Sequence, residues 1–283
     1  MRGATNIMRR LSKRIAPKRA FSLTELLVSI SLIGLLMSIL VPGLGRARKQ
    51  ARSVACMSRV RQLGLTFQAY AHDYDDYALP TRTDAQTFWW GRLTSDGVDR
   101  AKGTMWRYLA AELREQGMFE CPAQAYGTYS LQGKPFNEPD DPKWITSTYG
   151  YNGYFLSPSH SGWPGISNRP WQKVSSIPQP AQVFTFADTL LSWDLTGKRL
   201  SVGNTAMLDP PYLFSGKAWQ KNPSPTTCFR HIDRAVVAFV DGHCTAVASE
   251  APYAHKLAKI GSVGVSNAPH YIPDYLDWSE IEP

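Results

Sequence analysis

The sequence predicts an α+β protein in which one long N-terminal helix precedes a loop-rich, mainly antiparallel β head. Three observations support this fold class. Residues 26–45 are uncharged and mostly apolar, residues 47–74 repeat apolar side chains every three or four positions, and the composition changes from Tyr77 onward. Every Trp and every Pro except Pro17 and Pro42 lies in that last part of the chain.

The apolar run is long enough to cross a membrane. As an α-helix rising about 1.5 Å per residue, residues 26–45 would span about 30 Å, the thickness of the hydrocarbon core of a bilayer. A secretory signal would have a shorter apolar region and a small-residue cleavage site after it, whereas here a basic stretch, residues 46–52, follows. We therefore expect a transmembrane helix over residues 21–45. Lys and Arg flank it on both sides, so the positive-inside rule does not fix its orientation.

A helical pattern continues beyond the apolar run. The residues expected on one face are Ala47, Ala51, Val54, Met57, Val60, Leu63, Phe67, Tyr70 and Tyr74. This spacing predicts an amphipathic continuation of the helix over residues 46–76. Pro42 removes one backbone hydrogen bond and should bend the helix.

The remainder, residues 77–283, is predicted to form the β head. Short β-rich runs occur at 182–186 and 236–240. Asp241-Gly242 stands between two such runs, which predicts a two-residue hairpin turn of type I′ in which the glycine supplies a positive φ.

The charge distribution argues against nucleic-acid binding. The net charge is +8, but seven Lys and Arg lie in residues 1–20 and six more in residues 26–72, where there is no acidic residue. From Asp73 onward 18 basic residues face 22 acidic ones. The basic character therefore belongs to the N-terminal part, and no nucleic-acid partner is expected for the head.

The N-terminus resembles a known family. The order of a basic leader, a small residue, Phe, Ser-Leu-Thr, Glu and a long apolar run is similar to the N-termini of type IV pilins and type II secretion pseudopilins. The resemblance implies a leader, residues 1–20, that a prepilin peptidase removes on the cytoplasmic side. The cut would fall between Ala20 and Phe21, and Phe21 would become N-methylated. The family usually has Gly where Ala20 stands.

Glu25 is the one charge at the front edge of the apolar run. A charged side chain there is costly, although less so than at the centre of the bilayer. In the filaments of the resembled family, this glutamate faces the N-terminal amine of a neighbouring subunit, which implies an assembly role for Glu25. The alternative is an interfacial carboxylate solvated by lipid head groups. Pro42 also falls where many pilin helices bend.

Downstream segments resemble a group of pilin-like proteins abundant in planctomycetes. The matching segments are Cys56–Leu65, Cys121-Pro122, Tyr149–Asn152 and a terminal H-x9-D-G element, His231 with Asp241-Gly242. The fold class that the resemblance implies is pilin-like, with the long helix packed on the head sheet.

The H-x9-D-G element is interpreted as turn architecture. Two alternatives stay open, a bound cation or an acid/base group that combines His231, Asp241 and His243. About ten residues of extended chain span roughly 33 Å, so His231 and Asp241 should lie at opposite ends of a strand. We expect no metal, no cofactor and no catalytic residue, because the sequence also contains no G-x-S-x-G, H-E-x-x-H or phosphate-binding glycine loop.

The chain has four cysteines, Cys56, Cys121, Cys228 and Cys244. They lack the C-x-x-C spacing of many zinc sites, and an exported head would favour disulfides. Sequence leaves three connectivities open; the pairing of Cys56 with Cys121 is preferred.

The predicted function is structural: a pilin-like or pseudopilin subunit of a type II secretion or type IV pilus-like filament. Its expected partners are the prepilin peptidase, the inner membrane, and copies of itself or other pilin-like subunits. The leader would be cytoplasmic and the head periplasmic. The alternatives are a non-polymerising, membrane-anchored protein that binds a glycan or an exported substrate, and an anchored hydrolase.

Overall fold

The structure, a computed structural model, describes residues 22–109, 117–124, 146–194, 200–215 and 218–274. The chain divides into two compact units, residues 1–47 and 48–283. Ala20 and Phe21, at the expected cleavage point, lie outside the described residues.

One long helix begins the described chain. Helix α1 (Leu23–Asp73) contains 51 residues, with Pro42 inside it. It ends in a turn where Asp75 and Asp76 take positive φ values of 49° and 67°, and the Asp76 N–H donates to the Ala71 carbonyl at 2.9 Å. The predicted α+β class, with a long N-terminal helix and a β-rich head, is confirmed.

The remaining elements are short. The strands of the described residues are β1 (Thr87–Phe88), β2 (Gly91–Thr94), β3 (Gly97–Asp99), β4 (Tyr149–Tyr151), β5 (Phe184–Asp188), β6 (Leu191–Asp194), β7 (Leu200–Gly203), β8 (Tyr212–Ser215), β9 (Ala218–Lys221), β10 (Thr227–Cys228), β11 (Arg234–Phe239), β12 (Cys244–Ala248) and β13 (Ile260–Gly261). Short helical turns occur at α2 (Gly153–Leu156) and, as 3₁₀ turns, at Arg100–Lys102, Trp106–Tyr108, Pro158–His160, Pro164–Ile166 and Val174–Ser176.

The central sheet has four antiparallel strands in the order β12-β11-β5-β4. Its register pairs Val237 of β11 with Ala187 of β5 and with Thr245 of β12. The smaller sheets are β1-β2-β3, β6-β7, β8-β9 and β10-β13. The two β-rich runs expected from sequence correspond to β5 and β11, the two inner strands of the central sheet.

The second half of α1 packs against this sheet. Its buried apolar residues are Cys56, Val60, Leu63, Phe67 and Tyr70, and they share one core with residues of β4, β5 and β11. The two elements approach closely at Gly64, where an added Cβ would lie 3.3 Å from the Ala238 Cβ.

The predicted buried face of α1 was partly wrong. Val54 is exposed and Met57 is only partly buried, while Cys56 is in the core. The predicted and the observed buried faces both have a spacing of three or four residues. Before Val60 they consist of different residues, Val54 and Met57 in the prediction and Cys56 in the structure. The pattern on a helix fixes the period of its buried face, whereas the packing partner fixes where that face begins.

The positions of the hairpin turns also differ from the prediction. Gly242 has the expected positive φ of 89°, but Asp241 is not among the residues with positive φ, so the expected type I′ turn is wrong. The Gly242 N–H donates to the Phe239 carbonyl and the Phe239 N–H to the His243 carbonyl, both at 3.0 Å, which makes a longer hairpin loop closed by a glycine bulge.

A turn with positive φ at both central residues lies instead just before β11. Ile232 and Asp233 have φ values of 53° and 59°. The backbone groups of His231 and Arg234 close this turn through two hydrogen bonds of 3.0 and 3.1 Å. A β-branched residue such as Ile232 rarely takes such a φ, whereas an aspartate such as Asp233 takes it more readily.

Candidate functional site

The first candidate site is the N-terminus of α1. Ser22 precedes the helix, and its Oγ accepts the N–H of Glu25 at 3.2 Å. In return, Glu25 Oε2 accepts the Ser22 N–H at 2.9 Å and the Ser22 hydroxyl at 2.8 Å. This reciprocal arrangement is a capping box, which satisfies two backbone donors that have no partner within the helix.

The helix beyond this cap has an apolar surface on every side. Its exposed large apolar residues include Leu26, Leu27, Val28, Ile30, Leu32, Ile33, Leu35, Leu36, Met37, Ile39, Leu40, Val41 and Leu44. Within the described part of the chain, α1 is the one helix whose length and composition would allow it to cross a membrane. An apolar surface of this size requires a membrane or another protein around it.

The second candidate site is a cluster of four buried polar side chains in the head. Cys56 comes from α1, Cys121 from the loop after residue 117, Asp188 from the end of β5, and His231 from the turn before β11. All four are at most 4% exposed. One potential ligand atom of each lies within 4.8 Å of those of the other three. We call these four residues the Cys-Asp-His cluster.

The side chains of the cluster converge on one point. Cys121 Sγ lies 3.2 Å from His231 Nε2, and Asp188 Oδ2 lies 3.3 Å from the same nitrogen. The Cys56 thiol donates to Asp188 Oδ1 at 3.4 Å. Both cysteines are free thiols in the structure.

Several neighbours hold the cluster in place. The Val236 N–H donates to Asp188 Oδ2 at 2.8 Å, and the Tyr149 hydroxyl donates to Cys56 Sγ at 3.4 Å. The Ala123 N–H donates to Cys121 Sγ at 3.4 Å. Arg230 Nε lies 3.9 Å from Asp188 Oδ1, which brings a positive charge beside the carboxylate.

Burial and neighbouring groups shift the pKa values of three residues of the cluster. Burial would raise the pKa of the Cys121 thiol, but hydrogen bonds with Cys56 and His231 lower it to about 6. Burial would lower the pKa of His231, but its hydrogen bonds with Asp188 and Cys121 raise it to about 9. Burial would raise the pKa of Asp188, and the hydrogen bond from His231 and the charge of Arg230 hold it below its usual value.

The residues of the H-x9-D-G element lie at the two ends of strand β11. His231 belongs to the buried cluster and precedes β11, whereas Asp241 and Gly242 follow the same strand. Asp241 Oδ1 contacts His243 Nδ1 at 2.6 Å and accepts the His243 N–H at 3.0 Å. His231 and Asp241 therefore have different partners, and His243 joins Asp241 in the exposed hairpin loop.

Sequence reasoning did not identify two of the residues in these sites. Ser22 had a usable signal, because Ser22-Leu23-Thr24-Glu25 fits the S-x-x-E pattern of a capping box. Asp188 had none, since no motif surrounds it and its partners Cys56, Cys121 and His231 are distant in sequence.

The comparisons with known proteins concern the first site. A family model described as the prokaryotic N-terminal methylation motif matches residues 15–41. No curated protein and no solved structure matches the chain. The matched segment supports a type IV pilin-like protein and indicates a substrate of a prepilin peptidase, of pilin or pseudopilin type.

The motif also bears on partners and location. It implies processing by a prepilin peptidase and assembly with pilin-like subunits. Together with the single apolar helix, it is consistent with a membrane-anchored protein that crosses the membrane once.

Proposed function

We propose that this protein is a structural subunit of a type II secretion or type IV pilus-like filament. The prepilin peptidase would cut between Ala20 and Phe21, and the new N-terminal Phe21 would be methylated. The leader would face the cytoplasm and the head the periplasm. The observation that carries this proposal is the methylation motif over residues 15–41, which runs into a helix with an apolar surface on every side.

Glu25 would have two roles, one in the structure of its own helix and one in filament assembly. Its carboxylate caps the helix through Ser22, and in a filament it would also neutralise the Phe21 amine of a neighbouring subunit. Both roles use the negative charge, because an anion is favourable at a helix N-terminus and beside an ammonium group. The two roles differ in what they require, since a glutamine can complete a capping box but cannot neutralise an amine.

The first experiment is mass spectrometry of the N-terminus of the membrane-fraction protein, with and without the peptidase. We expect mature chains that begin with N-methyl-Phe21, and chains that keep Met1 when the peptidase is absent. A mature chain that keeps its leader, or one cut after Leu44, would contradict the proposal.

The second experiment compares Glu25→Gln with Ser22→Ala. Glu25→Gln should be inserted and processed but should fail to assemble, because a desolvated ammonium without a counter-charge costs several kcal/mol. Ser22→Ala keeps the charge and loses the cap, at a cost of about 1 kcal/mol, so most assembly should survive. The measurement is the yield of sheared filaments, or of subunit crosslinks, at matched expression.

The opposite result is equally informative. Wild-type assembly by Glu25→Gln would limit the carboxylate to helix capping and solvation by head groups. The chain would then be better described as a membrane-anchored binding protein that does not polymerise.

A further inference from the structure

We propose that the Cys-Asp-His cluster of the head is a structural metal site, formed by Cys56, Cys121, Asp188 and His231, and that it binds one Zn²⁺ ion. From the sequence alone we expect no metal, because the four cysteines lack the C-x-x-C spacing of many zinc sites. The site lies where the second half of α1 packs on the head, and it does not depend on filament assembly.

The distances in the cluster fit tetrahedral coordination. Zinc bonds of about 2.3 Å to sulfur and about 2.0–2.2 Å to nitrogen or oxygen require ligand atoms roughly 3.3–3.8 Å apart. The observed separations are 3.2 Å from Cys121 Sγ to His231 Nε2, 3.3 Å from that nitrogen to Asp188 Oδ2, and 3.4 Å from Cys56 Sγ to Asp188 Oδ1. The ligand atoms of all four residues lie within 4.8 Å of one another, so any separation near that limit would have to shorten for an ion to bind at the centre.

The directions of the side chains also favour coordination over acid/base chemistry. In a Cys-His-Asp triad the thiol and the carboxylate contact opposite nitrogens of the imidazole ring. Here Cys121 and Asp188 both approach Nε2 of His231. One N–H cannot serve both partners well, whereas one metal ion can bind all three atoms. The four residues are at most 4% exposed, as is typical of closed structural sites.

The surroundings supply what a metal site needs beyond its ligands. Donors from Tyr149 and Ala123 reach the two sulfur atoms, and the Val236 N–H reaches the carboxylate. Such outer hydrogen bonds orient metal ligands and stabilise their deprotonated forms. Two thiolates and a carboxylate carry three negative charges, which a dication and the adjacent Arg230 would balance.

The ligand set identifies the kind of ion. Two thiolates with an imidazole favour zinc, while Ca²⁺ and Mg²⁺ prefer a shell of oxygen atoms. The site would join α1, the Cys121 loop, β5 and the turn before β11. Since no such site exists in an unfolded chain, the free energy of binding would contribute to folding of the head.

The competing arrangement is a disulfide between Cys56 and Cys121, which the sequence analysis preferred. It excludes zinc binding by this set, because it consumes both thiolates. Both outcomes can be read on the same sample.

The test uses the full chain, extracted in detergent and purified without a polyhistidine tag. Elemental analysis should find about one zinc per chain. Thiol labelling after denaturation, without reductant, should find Cys56 and Cys121 reduced. After exchange into Co²⁺, intense near-ultraviolet absorption should report thiolate bonds to the metal. This last measurement needs no variant, so it stands even if the variants fold poorly.

The variants assign the ligands. Cys121→Ser and His231→Ala should each lower the bound zinc at least about tenfold, because a structural site depends on all four ligands. Cys244→Ser is the matched control, since that thiol contacts the Met57 carbonyl at 3.7 Å, outside the cluster, and it should keep its zinc.

Three results would overturn the proposal. They are a metal-free chain with Cys56 and Cys121 joined, a metal-free chain with both thiols free, and zinc that persists in Cys121→Ser and His231→Ala.

Discussion

The two halves of helix α1 share a secondary structure but have opposite surroundings. In the first half, apolar side chains such as Leu36, 61% exposed, cover the helix on every side. In the second half, Phe67 is completely buried, and the buried apolar residues form one stripe. The first half therefore needs a membrane or other subunits around it, whereas the second half is stabilised by its own head.

The glycines of the helix show the same difference. A Cβ added at Gly34, Gly43 or Gly45 would meet nothing within 4 Å, while one at Gly64 would lie 3.3 Å from Ala238. A glycine in the second half thus permits close packing on β11. In the first half, no described residue of the chain would contact an added Cβ at these glycine positions.

The largest expected effect comes from truncating one aromatic side chain. Phe67→Ala should destabilise the head by about 3–5 kcal/mol, because the cavity left between α1 and the central sheet cannot fully collapse. The matched change Leu36→Ala should leave the stability of the head unchanged. The measurement is urea unfolding of the full chain in detergent by Trp fluorescence, which reports the head because every Trp lies beyond residue 77. Equal effects of the two changes would refute the comparison.

A smaller effect is expected from enlarging a glycine. Gly64→Leu should destabilise the head by about 1–3 kcal/mol, since the added atoms must push β11 away from the helix. Gly34→Leu should not change the same unfolding transition. If Gly64→Leu were neutral, the helix and β11 would not be in the close contact described above.

The smallest effect concerns pH, because residues 26–45 contain no titratable side chain while the head buries several. The Oδ1 atom of Asp209 is buried and has no hydrogen-bond partner among the described residues, and burial raises its pKa to about 7. At Asp209 the folded head therefore binds more proton than the unfolded chain between about pH 4 and pH 7, so the contribution of this group to stability should fall as the pH rises through this window.

The corresponding variant isolates this contribution. Asp209→Asn should remove the loss, which we expect to be on the order of 1 kcal/mol because the residue is only partly shielded from water. The readout is the urea midpoint of both proteins at pH 4.5 and pH 7.5. Identical pH dependence of the two midpoints would mean that Asp209 is ionised in the folded head.

Features that depend on neighbouring residues could be predicted from the sequence. The apolar run, the methylation motif and the 3.6-residue period predicted the long helix, and two β-rich runs predicted the inner strands of the central sheet. The glycine at 242 was also expected to take a positive φ, which it does. Each of these follows from the local chain, because helix periodicity, strand propensity and glycine conformation are local properties.

Features that depend on residues far apart in the chain are fixed by the packing of the folded protein. The core against which α1 packs determines which of its residues are buried, so that Cys56 is buried and Val54 is not. The fold also brought Cys121, Asp188 and His231 to that cysteine from three other segments. A sequence carries no signal for such a cluster when its members have no regular spacing, because convergence of side chains is a property of packing and not of the local chain.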